Sequence, residues 1–176
     1  MIVKEGPASH SPFKLESLLT RLQSIDENIT GLGARFIHLI DSKEELNQKQ
    51  DEVLESILEY GPNWPFGIND GFKIFILPRF GTTSPWSSKA TDIAKVCGLV
   101  SINKIERGIA FTLTLNDKDL IPSREAIELL YDRMTEVFVT DLRQAEEMFS
   151  SLKPKPFSEI DILSDDKTAL ETANLE

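Results

Sequence analysis

The 176-residue chain contains a single cysteine, Cys97, and only two histidines, His10 and His38. One cysteine cannot form an internal disulfide, and these three residues fall short of the four ligands of a structural zinc site. The chain also lacks a run of about 20 apolar residues, which a membrane-spanning helix needs. Its first residues do not show the charged-then-apolar layout of a signal peptide. We therefore expect a cytoplasmic protein without a metal site and without a membrane segment.

Cations are concentrated in residues 73–107, although the chain as a whole is acidic. The net charge is −10, which argues against general binding to nucleic acids. Residues 73–107 carry six cations and two acids, a local balance of +4, so the remainder carries −14. The six cations are Lys73, Arg79, Lys89, Lys95, Lys104 and Arg107. This balance suits contact with a phosphorylated ligand or an acidic domain, but ordinary solvated helix and strand faces also explain it.

The chain repeats a pattern at an offset of 75 residues. The identities at this offset are Gly6 with Gly81, Ser9 with Ser84, Lys14 with Lys89, Gly33 with Gly108 and Phe36 with Phe111. Apolar positions follow the same order. Each half predicts strand, helix, strand and helix: 1–5, 13–24, 33–41 and 47–60, then 73–78, 88–97, 104–115 and 123–135. We predict an α+β fold of two fused repeats about a pseudo-twofold axis, with an antiparallel sheet covered by helices.

Helical spacing predicts which side chains face the core. Cys97 falls on the apolar side of the helix near 88–97, so we expect a core thiol. His38 is expected on the outward side of its strand rather than as a ligand, and the Gly- and Pro-rich residues 60–71 predict a loop. The helix near 123–135 and a further helix near 142–152, capped by Asp141, are predicted to bury Ala126, Ile127, Leu130, Tyr131, Met134, Leu142, Ala145, Met148 and Phe149.

The segment from Arg79 to Asp92 is the most informative part of the chain. It reads Arg-x-Gly-Thr-x-Ser-Pro-Trp-Ser-Ser-Lys-Ala-Thr-Asp and is followed by Cys97-Gly-Leu99 and by Arg107-Gly108. Its first ten residues are almost free of aliphatic side chains, whereas a strand-to-helix connection needs only about two to six residues. A long turn that is rich in Gly, Ser and Thr and holds one Trp is a typical place for function.

This string closely resembles phosphoribosylformylglycinamidine synthase, also called formylglycinamide ribonucleotide amidotransferase, in its large single-chain form. The resemblance runs from Gly6-Pro-Ala through Tyr60-Gly-Pro62 to Ala173-Asn174-Leu175, but it covers only the N-terminal region of that enzyme. It implies a duplicated domain over 1–152, with halves at about 1–72 and 73–140, that looks like two fused copies of the small PurS-type subunit. Residues 153–176 are then expected to begin a linker domain and to stop within it.

The resemblance also implies a role in catalysis by a larger protein. The family's enzyme is an ATP-dependent ligase of purine synthesis that hydrolyses glutamine and uses the ammonia to convert formylglycinamide ribonucleotide to the amidine. ATP and magnesium are therefore implied for the parent enzyme. The family's glutaminase set of cysteine, histidine and glutamate has no counterpart in this chain. We expect a non-catalytic assembly domain without a cofactor of its own, whose partners are the synthetase and glutaminase domains of the same parent chain.

Four roles remain open for the 79–92 segment. Catalysis by Ser87 or Ser88 with Lys89 is disfavoured because adjacent Ser and Lys side chains point apart. An anion site at the N-terminus of a helix that Ser87 and Ser88 cap is the second role, but the chain contains no phosphate-binding loop motif. Docking by a rigid Pro85-Trp86 knob is the role that the resemblance favours. In a purely structural role, Trp86 covers its own sheet and Ser88 caps a helix.

The candidate docking or anion-binding residues are Arg79, Thr82, Ser84, Trp86, Ser87, Ser88, Lys89, Asp92 and Arg107. The alternative to an assembly domain is a free-standing regulatory module. Such a module would bind a small phosphorylated ligand at the turn from Arg79 to Lys89.

Overall fold

A computed structural model describes residues 1–62, 64–65, 70–117 and 119–150. The predicted linker domain at 153–176 and part of the predicted loop at 60–71 therefore lie outside the described residues. The strands are β1 (Ile2–Ala8), β2 (Ile29–Ser42), β3 (Phe72–Pro78), β4 (Ile102–Leu115) and β5 (Glu136–Val139). The helices are α1 (Pro12–Gln23), α2 (Gln48–Leu58), α3 (Pro85–Val96), α4 (Arg124–Glu128) and a 3₁₀ helix (Leu142–Phe149).

The five strands form one antiparallel sheet in the order β1-β2-β4-β3-β5. Its centre is the pairing of β2 with β4, which are 14 residues long each. Side chains that lie directly opposite one another in a pair of strands point to the same face of the sheet. The partners on the face that α1 to α4 cover, which we call the helix face, include Ala34 with Phe111, Phe36 with Ile109, His38 with Arg107 and Ile40 with Ile105.

Two apolar clusters fill the helix face, one at each end of the central strands. At one end α1 and α4 bury Leu15, Leu22 and Ala126 against residues such as Phe111 and Leu113. At the other end, the buried apolar residues of α2 and α3 pack against Ile40 and Ile105 of the central strands; these helix residues are Leu54, Leu58, Ala90 and Ala94. The 3₁₀ helix covers part of the opposite face of the sheet. Between these two clusters the helix face carries Phe36, His38 and Arg107.

The prediction of an α+β fold with an antiparallel sheet is confirmed. The strand order is also the one that a pseudo-twofold axis between β2 and β4 would produce. The elements do not follow the predicted offset of 75, however, because the helix N-caps Ser11 and Ser84 are 73 positions apart, as are the starts of β2 and β4. In addition, β5 has no counterpart among residues 1–62. The duplication itself stays a prediction.

The last two predicted helices are wrong in length or type. The helix at 123–135 ends at Glu128, and the chain turns at Asp132, whose carboxylate accepts from the backbone N–H of Met134. That side-chain hydrogen bond competes with the helix, and Met134 is 76% exposed rather than buried. The helix near 142–152 is a 3₁₀ helix that Asp141 caps through Arg143, and its predicted end lies outside the described residues. Of the remaining predicted core residues, Ala126, Leu130, Ala145 and Met148 are buried, and Ile127, Tyr131, Leu142 and Phe149 are partly buried.

Phe36 and Phe111, which the sequence repeat aligns, lie in different surroundings. Phe111 is 1% exposed within the apolar cluster of α1 and α4, whereas Phe36 is partly exposed and lies beside Arg107. Phe111→Ala should therefore lower the free energy of unfolding by about 3–5 kcal/mol. Phe36→Ala should lower it by only about 1–2 kcal/mol. Urea unfolding of both variants checks this, and equal losses would mean that the two sites are equivalent after all.

Candidate docking and anion-binding site

The 79–92 segment divides into a short turn and the first half of α3. Gly81 has a φ of +81°, and the hydroxyl of Thr82 donates to the backbone carbonyl of Arg79 at 2.6 Å, which closes the turn. The helix begins at Pro85, because the Ser84 hydroxyl accepts from the backbone N–H of Ser87 at 3.0 Å. Proline suits the first helical position, since its missing N–H would be unpaired there. The prediction that Ser87 and Ser88 open this helix was wrong by three to four residues.

A buried carboxylate holds the start of α3 against the sheet. Glu106, in β4, is 0% exposed, and its Oε1 accepts from the Ser84 hydroxyl at 2.5 Å and from the Arg107 backbone N–H at 3.1 Å. The Lys104 ammonium lies 3.6 Å from Oε2. A buried carboxylate is costly unless such donors surround it. Glu106 therefore fixes the position of the N-cap, a role that sequence reasoning did not assign to it.

Two hydroxyls of α3 bind the free edge of β4 where β4 extends past the end of β3. The Ser87 hydroxyl donates to the carbonyl of Ile105 at 2.6 Å, and the Thr91 hydroxyl accepts from the N–H of Ile105 at 2.9 Å. Both residues are buried, whereas Ser88 and Lys89 are exposed. Ser87 thus serves as a structural hydrogen-bonding group, and the arrangement does not favour Ser–Lys catalysis.

Arg107 lies among three aromatic rings in the middle of the helix face. Its guanidinium carbon is 4.3 Å from the centroid of Phe36, 4.8 Å from that of Trp86 and 5.9 Å from that of Tyr60. Such cation–π contacts stabilise a cation by about 0.5–2 kcal/mol. Among the described residues no carboxylate forms an ion pair with the Arg107 side chain. The cation is therefore held by rings rather than by an anion.

His38 completes this cluster, which contradicts the expectation that it faces outward. It is 0% exposed, stacks on the Trp86 ring at a centroid distance of 5.6 Å, and places Nε2 2.8 Å from the Tyr60 hydroxyl. The same hydroxyl accepts from the Arg107 guanidinium at 3.4 Å. The Tyr60 hydroxyl therefore links the Arg107 guanidinium to Nε2 of His38.

Burial keeps His38 neutral. Desolvation first and the Arg107 charge second lower the pKa of His38 to about 4, although the backbone of Lys4 acts in the opposite direction. Nδ1 has no hydrogen-bond partner of ordinary geometry. A Cβ at Gly6 would lie 2.5 Å from Cε1 of His38, so only glycine lets β1 pass this close to the ring. Burial also raises the pKa of Tyr60, so the hydroxyl keeps its proton.

A cleft of 310 Å³ opens beside Arg107, and we call it the Arg107 cleft. Its walls are mostly apolar and include Pro78, Pro85 and Trp86, while Glu136 lies on the side of β5. Trp86 is only partly exposed and packs against the α2–α3 cluster. It is thus a wall of the cleft rather than the projecting knob that the sequence suggested.

The other candidate residues lie outside the Arg107 cleft. Arg79, Thr82, Ser88, Lys89 and Asp92 are exposed on the turn or on the outer side of α3. The structure therefore brings Ser84, Trp86 and Arg107 together and leaves the remaining cations apart. Sequence reasoning missed the partners Phe36, His38, Tyr60 and Glu106, although the Tyr60-Gly-Pro62 string was a signal for one of them.

Cys97 is exposed at the C-cap of α3, which corrects the prediction of a core thiol. The buried side of α3 consists of Ser87, Ala90, Thr91 and Ala94. That phase places Ile93, which is 52% exposed, and Cys97 toward solvent. The apolar spacing in the sequence was one residue out of phase because the helix binds the edge of β4 through two polar side chains.

The described residues thus define an α+β domain with an aromatic-lined cationic cleft. They contain no group of three or more His, Cys, Asp or Glu residues placed to hold a metal ion. No helix among them is both long and apolar enough to cross a membrane. Residues 35–149 match the model of the formylglycinamide ribonucleotide amidotransferase N-terminal family. This match covers more than half of the chain, so the chain belongs to that family, and the resemblance carried by the 79–92 motif is confirmed.

The Ser84–Glu106 contact can be tested with a matched pair of serine variants. Ser84→Ala removes an N-cap acceptor and also a donor to a buried carboxylate, so it should lower the free energy of unfolding by about 2–4 kcal/mol. Ser88→Ala, on the exposed side of the same helix, should change it by no more than about 0.5 kcal/mol. Chemical denaturation measures both. A larger loss for Ser88→Ala than for Ser84→Ala would indicate that the N-cap lies where the sequence predicted it.

Acid should destabilise the fold through His38. Its pKa of about 4 in the folded state lies below the ordinary 6.5, so the unfolded chain takes up the proton first. Neutral His38 contributes up to about 3 kcal/mol to the free energy of unfolding. This contribution is complete above about pH 6.5 and is lost as the pH falls towards 4. We expect the urea midpoint of the wild type to fall more steeply over this range than that of His38→Gln. Parallel curves for the two proteins would contradict the prediction.

Proposed function

We propose that the chain is the N-terminal assembly domain of a glutamine-dependent, ATP-driven ligase of purine nucleotide biosynthesis. The enzyme converts formylglycinamide ribonucleotide, glutamine and ATP to formylglycinamidine ribonucleotide. The domain positions the synthetase and glutaminase domains for ammonia transfer and carries no catalytic group itself. ATP and magnesium belong to the synthetase part of the parent enzyme. The family match over residues 35–149 is the observation that carries this proposal.

The use of polar groups within the domain supports a role in assembly. Two hydroxyls of the 79–92 segment are bonded internally, since Ser84 binds Glu106 and Ser87 binds a strand carbonyl. Cys97 is exposed at a helix end, while one ring nitrogen of His10 bonds to Ser9 and one of His38 bonds to Tyr60. The described residues therefore do not place the thiol and a histidine as the nucleophile–base pair that glutamine hydrolysis needs.

Exposed cations supply the docking surface in this proposal. Arg79 and Lys89 are exposed at the start and near the end of the 79–92 segment, and neither forms an ion pair with a described carboxylate. These same cations keep the second candidate function open, a regulatory module that binds a small phosphorylated ligand. The exposed Asp92, one turn beyond Ser88, already places a negative charge near the start of α3 and so weakens the attraction of this region for a phosphorylated ligand.

The assembly function predicts a selective loss of coupling in the parent enzyme. Arg79→Ala and Lys89→Ala should lower glutamine-dependent synthesis several-fold and leave synthesis from supplied ammonia nearly unchanged, because only domain placement is disturbed. Lys95→Ala, in the exposed last turn of α3, is the matched control. Both activities are measured by formation of the amidine product.

Two outcomes would count against assembly by this surface. Equal loss of both activities in Arg79→Ala and Lys89→Ala would indicate a part in the synthetase chemistry instead. Calorimetric binding of formylglycinamide ribonucleotide to the 176-residue chain, abolished by these two variants and retained by Lys95→Ala, would favour the regulatory module.

A further inference from the structure

The geometry points to the Arg107 cleft as a receptor for a carboxylate that a partner polypeptide presents on an Asp or Glu side chain. The identity of that polypeptide as another domain of the same enzyme rests on the proposed function. The receptor itself rests on the surroundings of Arg107.

The first argument is the unpaired charge of Arg107. A guanidinium carries five N–H donors, and the side chain makes one hydrogen bond within the described residues, to the Tyr60 hydroxyl. Glu106, its neighbour in β4, is occupied by Ser84, Lys104 and the backbone. His38 is held neutral by burial. The cluster therefore keeps a full positive charge and several free donors beside an open cleft.

The second argument is that the cage fixes the guanidinium before a ligand arrives. The rings of Phe36 and Trp86 lie within 5 Å of its central carbon, and Tyr60 binds one of its nitrogens. Trp86 is itself held because the Ser84–Glu106 contact fixes the first turn of α3. A fixed planar fork suits two parallel hydrogen bonds to a carboxylate. Little side-chain freedom is lost when the anion binds.

The third argument concerns the charge and the walls of the cleft. Arg107 is the only cation among its described lining residues, and Glu136 is the only carboxylate among them. Glu136 repels either anion, but a phosphate group of charge about −2 is repelled more strongly and is only half neutralised by Arg107, whereas Arg107 matches the charge of a single carboxylate. The apolar wall of Ile76, Pro85 and Trp86 suits the side chains that flank such a carboxylate in a polypeptide. An arginine and a tryptophan in one pocket are typical of interface hot spots.

Fluorescence of Trp86 provides a direct test. The chain has two tryptophans, Trp64 and Trp86, so the Trp64→Phe variant of the 176-residue chain reports on the cleft alone. We would titrate it with the blocked tripeptide acetyl-Leu-Glu-Leu-amide, with its Leu-Gln-Leu counterpart, and with inorganic phosphate. The glutamate peptide should give a saturable change in emission. The glutamine peptide should bind at least tenfold more weakly, since the charge-assisted contact is lost.

Variants locate the binding. Arg107→Gln should weaken the glutamate peptide at least tenfold, while Arg79→Gln, on the exposed turn, should leave its affinity unchanged. Glu136→Gln should strengthen binding several-fold, because it removes the negative charge from the cleft and keeps the oxygen that accepts from the Asp132 backbone. The melting transition of Arg107→Gln shows whether that variant folds. If it does not fold, Glu136→Gln still tests whether the peptide binds in the cleft.

Three results would overturn the inference. They are the absence of a saturable change with the glutamate peptide, equal affinity for the glutamine peptide, and tighter binding of phosphate than of the glutamate peptide. The last result would assign the cleft to a phosphorylated ligand. If the peptide fails to bind while Arg79→Ala and Lys89→Ala still lower coupling in the parent enzyme, the receptor is disproved and the proposed assembly function stands. If the peptide binds while Arg79→Ala and Lys89→Ala leave coupling unaffected, the receptor stands and assembly through these two cations is disproved.

Discussion

The antiparallel pairing of β2 with β4 positions the strand residues around the Arg107 guanidinium. Its register places His38 opposite Arg107 and Phe36 opposite Ile109, so a strand from each half of the chain contributes to one cluster. Because side chains alternate along a strand, a slip of one residue would move Arg107 to the other face of the sheet. The apolar clusters at the two ends of the strands oppose such a slip, since it would expose residues such as Phe111 and Ile105.

The second constraint is the contact of Glu106 with Ser84, which joins a strand to a helix that precedes it by about 20 residues. Adjacent residues of β4 make different contacts, because Glu106 binds Ser84 at the start of α3 while Arg107 packs against the aromatic rings. The hydroxyls of Ser87 and Thr91 then close the free edge of the strand. An edge that is covered in this way cannot pair with another chain. The 79–92 segment is thus built into the sheet through its polar side chains, whereas its cations stay outside.

The sequence predicted most elements of the fold, because strands and helices follow from periodicity within a few residues. It failed where the deciding contact lies far along the chain. Three neighbouring serines compete for the N-cap of α3, and the choice of Ser84 depends on Glu106. His38 is buried because Tyr60 and Trp86 cover it, and nothing in its own strand reveals this. The family was recognisable because the motif is long and unusual in composition, whereas the aromatic cage is not contiguous in the sequence.

The cations that are concentrated in residues 73–107 do not form one surface. Lys104 turns inward to Glu106, Lys73 lies on the face opposite the helices, and Arg79 and Lys89 are on the outer side of the turn and of α3. A dispersed set of single charges gives a weak long-range field, so the local balance of +4 does not by itself imply steering of an anion. Arg107 differs from the other cations because aromatic rings surround its guanidinium. An apolar setting of this kind strengthens a charged contact at short range. The carboxylate receptor that we propose therefore depends on one fixed cation in an apolar setting rather than on overall charge.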